Sequence, residues 1–505
     1  MSHVGKIILV IVAIFLAGAV VIVTGKIAYT QRLEEVKKEE LKRQELYSHI
    51  LEGASTSPTN VSVDYLKPTS KGSPLIFGGA QPPNSDQVKV WDMFSDVGVT
   101  SVRLDLAINY MIRNTTLEEY KANHDHIQDI TKWNNFDLSR IKDQLAEAKK
   151  RGIKTIGIMD YVPPWLSHDG TDFGVPKDWE IYEDVVKKIY RYHRDNLDFV
   201  ELWNEANHSH FLTVDNSGMT KKEAYEQIYY HAAKAIREVD KEINDGKVVP
   251  LGGPVDPSPN DPSLLEPILE NDETRNWIDF ISFHDYNSKD SSWDKYTSLL
   301  EKYKLSNLPI FITEWNYDGQ NEIDKPSKTS TEAISYTANK LFEYLRKGIS
   351  GANYYSLLPM KSGQYLSFYK QNNNSVEPLP QAKTWRILSK DLALGKGESS
   401  IYTTTSSIRD LNVIGFTNVN KEQGIAVVNP SSSARVVNIH FSNLSLKNFA
   451  KVQVYYASAT EDATKPVYEG TVVVKNGSAD FVYYLPEQAI IGLKLVQEKD
   501  WFNLL

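Results

Sequence analysis

The sequence contains no cysteine. That excludes disulfide scaffolds, thiolate nucleophiles and Cys-ligated zinc. It also has no surplus of positive charge, since 56 Lys and Arg against 65 Asp and Glu give a formal net charge of −9. A mildly acidic chain without a basic stripe is a poor candidate for binding phosphate backbones, so no nucleic-acid partner is expected. With 41% hydrophobic and 24% charged residues over 505 positions, the composition rules out global disorder and a polytopic membrane protein. The length suggests about two or three domains. Aromatics, by contrast, are plentiful, with 28 Tyr and 10 Trp.

The N-terminus departs from this soluble pattern. An uninterrupted apolar or small run from Ile7 to Val23 spans about 26 Å as a helix, enough for most of a bilayer core. A cleaved signal peptide is one reading, because Ala17-Gly18-Ala19 resembles a cleavage site. The run continues past that triplet, however, which favours an uncleaved transmembrane signal anchor over residues 1–26. Basic residues follow the run more densely than they precede it (Lys26, Arg32, Lys37, Lys38), so the positive-inside rule alone places the bulk of the chain in the cytoplasm. Residues 27–52 are charged and helix-like, with Glu34–Lys38 and Glu39–Arg43 in the favourable i,i+4 order. No heptad persists for three turns, which favours a solvated stalk over a coiled coil. Repeated Ser, Thr and Pro over 55–74 read as a linker, so 27–73 is expected to form a helical stalk and linker.

From 74 to 394 short β-rich runs alternate with longer helix-compatible segments. The strand candidates are 75–80, 100–106, 155–160, 199–204, 248–253, 280–284, 310–315 and 352–357. Helical segments near 86–97, 138–150, 179–194, 220–239, 263–271, 292–304, 330–347 and 380–391 follow them in order. Eight such repeats predict an α/β fold, a (β/α)8 TIM barrel with insertions. A doubly wound open sheet is the alternative, but no Gly-x-Gly-x-x-Gly opens a helix after the first strand. Beyond 395 the period changes to alternating β-rich runs, including 411–417, 424–428, 436–441, 451–456, 467–474 and 479–484. Residues 395–505 therefore read as a C-terminal β-sandwich domain.

Polar and aromatic residues gather at the C-terminal ends of the barrel strands, the rim where barrel chemistry occurs. Arg103 and Asp105 end the second strand, and Asp160, Pro164 and Trp165 follow the third. Asn204 and Glu205 end the fourth, His284, Asp285 and Tyr286 the sixth, Glu314 and Trp315 the seventh, and Tyr354 and Tyr355 lie in the eighth. Glu205 and Glu314 each follow an apolar strand, where a charge is costly unless it reaches the rim. Two carboxyls across a barrel mouth suit glycosidic bond cleavage, one donating a proton to the leaving oxygen and the other attacking the anomeric carbon. A separation near 5 to 5.5 Å would make the mechanism retaining. Taken singly, each Glu is equally well read as a rim salt bridge.

The tract Leu202-Trp203-Asn204-Glu205-Ala206-Asn207 resembles the acid/base motif of clan A glycoside hydrolases, and Thr313-Glu314-Trp315-Asn316 resembles the nucleophile motif of family 39. Val102-Arg103-Leu104-Asp105, Pro163-Pro164-Trp165-Leu166-Ser167 and Ser282-Phe283-His284-Asp285-Tyr286 are similar to that family's second-, third- and sixth-strand segments. The resemblance implies Glu205 as general acid/base, Glu314 as nucleophile, and Asn204 on the sugar 2-hydroxyl. It further implies Arg103 and Tyr286 as donors to Glu314, and His284 on Glu205 or the substrate. Trp165, Trp315, Tyr161, Tyr317 and Tyr355 are the candidate sugar platforms. The chain departs from the pattern in two places. Tyr354-Tyr355-Ser356 stands where a Trp is common, and Ala206 stands where a Pro often follows the acid/base Glu.

The expectation is a membrane-anchored retaining glycosidase that cleaves glycosidic bonds in a polysaccharide, endo-acting on an exopolysaccharide. The competing reading is a catalytically silent glycan-binding surface protein. A metal-dependent barrel hydrolase would need clustered His and carboxylate ligands, and among the histidines only His284 ends a strand, so no metal or cofactor is expected. A polymeric substrate lies outside the cytoplasmic membrane, which argues for an extracytoplasmic catalytic domain against the charge count.

Overall fold

The computed structural model describes residues 3–54, 58–106, 108–111, 115–123, 138–286, 292–316, 330–358, 367–372, 375–458 and 464–498. The chain forms two compact units, Ser70–Ser399 and Met1–Thr69 together with Ser400–Leu505.

The first unit is a closed eight-stranded parallel barrel. Its strands are Gly78–Ala80, Ser101–Asp105, Lys154–Met159, Phe199–Leu202, Leu251–Asp256, Phe280–Asp285, Ile310–Trp315 and Gly351–Tyr354. All eight expected repeats are present. The fifth starts three residues later than expected, at Leu251, directly after Pro250, whose carbonyl accepts the Val200 amide. Helices return the chain between strands. Lys221–Ile243 shows why such segments fold: a Thr220–Glu223 capping box opens it, Ala224, Ile228, Ala232, Ala235 and Val239 line its buried side, and Asn244 closes it in the left-handed region at φ 49°.

The N-terminal end of the barrel is filled by apolar rings. Phe199, Phe280 and Phe311 begin the fourth, sixth and seventh strands, and their ring centroids lie 4.7 to 5.8 Å apart. Leu75 and Ile156 pack against them. Glycine is required opposite two of these rings, because a Cβ at Gly252 would overlap Phe280 and one at Gly351 would crowd Phe311. The barrel floor is therefore a packed core, and the rim is left for polar groups.

The second unit is a nine-stranded sheet. Its two outer strands, Tyr468–Val474 and Ala479–Leu485, are consecutive in sequence and joined by the short turn at Lys475–Ser478. A sheet whose edges are tied so closely must fold back on itself, and it does so around one core that includes Val437, Phe441, Val452, Phe481 and Leu493.

Two expectations for the N-terminal region are corrected. The stretch expected as a linker contains the strand Thr59–Gly72, which pairs in parallel with Arg435–Ser442 and buries Val61, Val63 and Tyr65 in the sheet core. Its Ser, Thr and Pro content masked a period-two alternation, and period two is what one face of a sheet needs. The expected solvated stalk is likewise part of the helix His3–Ala54, whose stretch from Tyr29 to Tyr47 lies on this sheet. Val36, Arg43 and Tyr47 are buried there. Arg43 donates to the Tyr468 hydroxyl at 2.9 Å and covers the Phe481 ring, while Arg32 reaches Thr471 and Glu498 at 2.9 and 3.0 Å. The helix pairs with a sheet face, so it needs no heptad. Its part from Val12 onward is long and apolar enough to cross a membrane, and Phe15, Leu16 and Ile22 are exposed.

Candidate active site

The fourth strand ends at Leu202, and the three residues that follow are held against both neighbouring strands. The Trp203 amide donates to Met159 O and the Glu205 amide to Val255 O, each at 3.0 Å. Trp203 and Glu205 adopt left-handed φ values of 70° and 44°, and Val255, a β-branched residue, adopts 58°. Such conformations cost about 1 to 3 kcal/mol each and persist where the surroundings over-determine them. Here the flanking strands fix the tract so that Asn204 and Glu205 turn into the barrel mouth. An aromatic wall of Tyr161, Phe173, Trp203 and Phe211 backs it, with Trp203 Nε1 donating to Phe211 O at 2.7 Å.

Arg103 lies at the centre of the site. Its Nε donates to Glu201 Oε2 at 2.6 Å, its Nη1 to Glu314 Oε1 at 2.7 Å and its Nη2 to Asn204 Oδ1 at 3.3 Å. The side chain is only 1% exposed. Burial works against the cation, but the charges of Glu201 and Glu314 outweigh it and raise Arg103 above the ordinary guanidinium value. One buried cation thus serves two carboxylates.

The other Glu314 oxygen accepts from the Tyr286 hydroxyl at 2.5 Å. Burial and the Glu314 charge push this phenol well above its ordinary value, so it acts as a neutral donor. His284 Nδ1 lies 2.6 Å from Glu205 Oε1 and 3.5 Å from Glu314 Oε2. For Glu205, burial raises the carboxyl, but the His284 hydrogen bond and charge outweigh it and leave the group below the ordinary carboxylate value. One oxygen from each carboxylate and the His284 nitrogen all lie within 4.8 Å of one another. That spacing is close to the pair separation of retaining enzymes and well short of the roughly 6.5–9.5 Å of inverting ones.

These three groups also form a candidate cation cluster among the described residues. Histidine counting at strand ends did not reveal it, because two of its donors are the carboxylates themselves. Arg103 and Tyr286 already engage both Glu314 oxygens, which leaves that carboxylate poorly placed to hold an ion as well.

The structure therefore brings Arg103, Asn204, Glu205, His284, Tyr286 and Glu314 together. Tyr355 stands near them, its ring edge-on to Tyr286 with centroids 6.4 Å apart, and burial with the Glu314 charge pushes its phenol up to about 12. Tyr161 joins through its edge-on contact with Trp203, whose ring centroid lies 5.6 Å away. Trp315 is a correction. It is fully buried, stacks on Trp385 at 5.5 Å and meets Tyr344 and Tyr354 edge-on, so it packs the barrel against its helices and offers no face to a sugar. The strand bulges between Ile312 and Trp315, and side chains on either side of Glu314 turn away from the mouth. Trp165 is half-buried with one face stacked on Tyr120 at 5.2 Å. Tyr317 lies outside the described residues.

Sequence reasoning gave Glu201 no role. It is fully buried at the centre of the fourth strand, and its one signal was a charge inside an apolar run. Asp285 was placed at the rim but points outward, where its Oδ2 meets Lys340 Nζ and the Tyr344 hydroxyl, each at 3.1 Å.

Residues 164–344 match the model of Glycosyl hydrolases family 39. The match includes Asn204, Glu205, His284, Tyr286 and Glu314 and leaves out Arg103 and Tyr355. Among solved structures, the chain is similar to the glycoside hydrolase family 30 subfamily 8 xylanase of Clostridium acetobutylicum, with TM-score 0.61, 14% identity, and coverage of 86% of this chain and 99% of that one. It is similar to the family 39 enzyme of Xanthomonas axonopodis pv. citri, with TM-score 0.61, 14% identity, and coverage of 88% and 98%. It is also similar to a glucosidase from Croceicoccus marinus, with TM-score 0.63, 12% identity, and coverage of 88% and 100%. No curated protein matches the sequence. The chain has the barrel fold of these glycoside hydrolases and a separate sheet unit. Within that class its matched segment is that of family 39.

Proposed function

We propose that the chain is a retaining glycosidase that works by double displacement, with Glu314 as nucleophile and Glu205 as general acid/base. The observation that carries this reading is the carboxylate pair, of which one oxygen each and the intervening His284 nitrogen fall within 4.8 Å of one another. Arg103 and Tyr286 donate to the two Glu314 oxygens and orient the carboxyl group for attack on the anomeric carbon. Asn204 holds the sugar 2-hydroxyl, and Tyr355 lines the reacting subsite. In the free site the His284 hydrogen bond and charge hold Glu205 below its ordinary value. A sugar seated over Glu205 strips its remaining water, which favours the protonated carboxyl that donates to the leaving oxygen. After the leaving group departs, Glu205 takes a proton from the water that hydrolyses the glycosyl-enzyme.

The substrate in this reading is a polysaccharide, cut internally, and an exopolysaccharide outside the cytoplasmic membrane. The N-terminal helix anchors the chain as a single pass with the barrel on the outer side. Xylanases and glucanases among the similar folds fit a polymeric substrate.

Glu205→Gln and Glu314→Gln should each lower turnover of a cleaved polysaccharide by about 10²–10⁴-fold or more. Azide should rescue Glu314→Ala and yield a glycosyl azide of inverted configuration. NMR of the first-formed product should show retained configuration. Full activity in either Gln variant would overturn the assignment. Protease shaving of intact cells that left the barrel untouched would overturn the outward orientation.

A further inference from the structure

The part of the helix His3–Ala54 that follows the apolar run stays on the sheet up to one end of it. Tyr29 meets Phe449 with ring centroids 5.1 Å apart, Arg32 reaches Thr471, and Arg43 reaches Tyr468. Phe449 pairs with Val473, so the helix runs along these strands and its N-terminal direction points toward Lys447 and Lys475. Those lysines lie two residues beyond the Phe449–Val473 pair, about 7 Å along the strands. The apolar run ends at Val23, six residues before Tyr29 and about 9 Å along the helix. The end of the sheet and the end of the apolar run therefore fall close to one level.

Loops at this end are hydrogen-bonded to one another. The Leu444 amide donates to Gly477 O at 2.8 Å, the Ser445 amide to Gln423 Oε1 at 2.8 Å and the Lys447 amide to Gln497 Oε1 at 2.9 Å. Asn443 Nδ2 donates to Asp64 Oδ1 at 2.7 Å, which adds the strand at Leu66. Lys421, Lys447 and Lys475 on these loops and Lys67 on the strand are exposed, and none forms an ion pair with a described residue. Leu66 and Val419, beside them, are 75% and 43% exposed. Arg32 balances Glu498 at 3.0 Å and Lys494 balances Glu422 at 3.5 Å, so the four lysines against Asp64 and Asp480 leave this end net positive.

We infer that this end of the sheet unit is a lipid-binding surface, held against anionic headgroups of the same bilayer that the apolar run enters. The inference rests on the anchoring reading above. A helix that leaves the sheet where its apolar run ends provides no spacer, so the end of the sheet meets the headgroup layer. Lysine ammonium groups are attracted to anionic headgroups within a Debye length, about 8 Å at physiological salt. Exposed Leu66 and Val419 are apolar side chains that can enter the boundary between headgroups and acyl chains. Cations beside isolated apolar side chains suit a lipid surface, which presents phosphates above hydrocarbon. The helix and the sheet then grip one membrane at two depths.

The test uses the full chain, whose lack of cysteine lets a single introduced thiol carry a nitroxide label. Leu66→Cys and Val419→Cys place the label at this end. Val467→Cys places it before Tyr468, at the other end of the strand Tyr468–Val474. The labelled chains are inserted into vesicles of phosphatidylcholine mixed with phosphatidylglycerol, and collision with a neutral, water-soluble nickel quencher is read by electron paramagnetic resonance. Labels at Leu66 and Val419 should be at least about threefold less accessible than the label at Val467, since each lysine near an anionic surface favours contact by about fivefold. Combining Lys421→Glu, Lys447→Glu and Lys475→Glu should remove that protection while the Val467 label is unchanged, which also reports intact folding. Equal accessibility at all three positions in a chain that floats with the vesicles would overturn the surface and leave the anchor standing. A chain that stays in solution would overturn the anchoring reading, and the surface with it.

Discussion

The fourth, sixth and seventh barrel strands each begin and end in opposite chemistry. At their N-terminal ends stand Phe199, Phe280 and Phe311, in mutual ring contact. At or just beyond their C-terminal ends stand Glu205, His284 and Glu314, bound into one charged cluster. The strands span only four to six residues, so the same short rods hold a dry plug at one end and a reactive mouth at the other. The plug is stabilised by burial, which is non-directional. The mouth is stabilised by matching each buried charge to a partner, and one lost partner leaves another charge stranded. Stability therefore resides at the floor, while function occupies the costly end.

The largest effect that would separate the two ends is expected from Arg103→Met. It strands Glu201 and Glu314 together and should cost about 3–5 kcal/mol in denaturant unfolding as well as most of the turnover. Near-wild-type stability would mean that the cluster does not depend on its cation. Phe280→Ala should cost about 3 kcal/mol or more through the cavity it opens, with kcat of the surviving folded enzyme unchanged. A matching fall in kcat would show that floor and mouth are coupled. Trp315→Leu should cost about 1–3 kcal/mol with KM unchanged, since its ring packs on Trp385. A raised KM would return Trp315 to the cleft.

The smallest effect concerns Asp256 at the end of the fifth strand. Burial outweighs the opposing hydrogen bond from the Tyr296 hydroxyl and pushes this carboxyl well above the ordinary value. A folded-state value raised above the unfolded one makes the unfolded chain the better proton loser as pH rises through the ordinary carboxyl range. Wild-type stability should then fall from acid toward neutral pH by an increment that Asp256→Asn removes. Denaturation midpoints of the two proteins at pH 4, 5 and 7 should diverge with rising pH, and parallel curves would exclude this role.

Much of this arrangement was legible before the fold. Eight β-rich runs, each with a helix behind it, set the barrel, and strand-end position placed six residues, Arg103, Asn204, Glu205, His284, Tyr286 and Glu314, among a wider set at the rim. The motifs resembling family 39 pointed to the same six. What stayed hidden shares one cause, which is that a side chain's direction depends on bulges and on partners remote in sequence. Trp315 looked like a sugar platform beside Glu314, yet the seventh-strand bulge turns it toward Trp385. Asp285 sits next to His284 and faces Lys340 instead of the mouth. Thr59–Gly72 looked like a linker because its pairing partner, Arg435–Ser442, lies at the other end of the chain.

The sequence by itself determined the period of each segment, and hence the barrel, the sheet domain and the apolar N-terminal helix. It also settled which chemistry is absent, since a chain without cysteine has no thiolate to use. Tertiary structure alone decided that Glu205 and Glu314 share one histidine, that a single buried guanidinium ties Glu201 to Glu314, and that the helix after the apolar run lies on the sheet. The physical reason is distance. Periodicity acts over a few residues along the chain, whereas charge pairing and burial act over a few ångströms in space, and only closure of the barrel brings residues a hundred positions apart within that range.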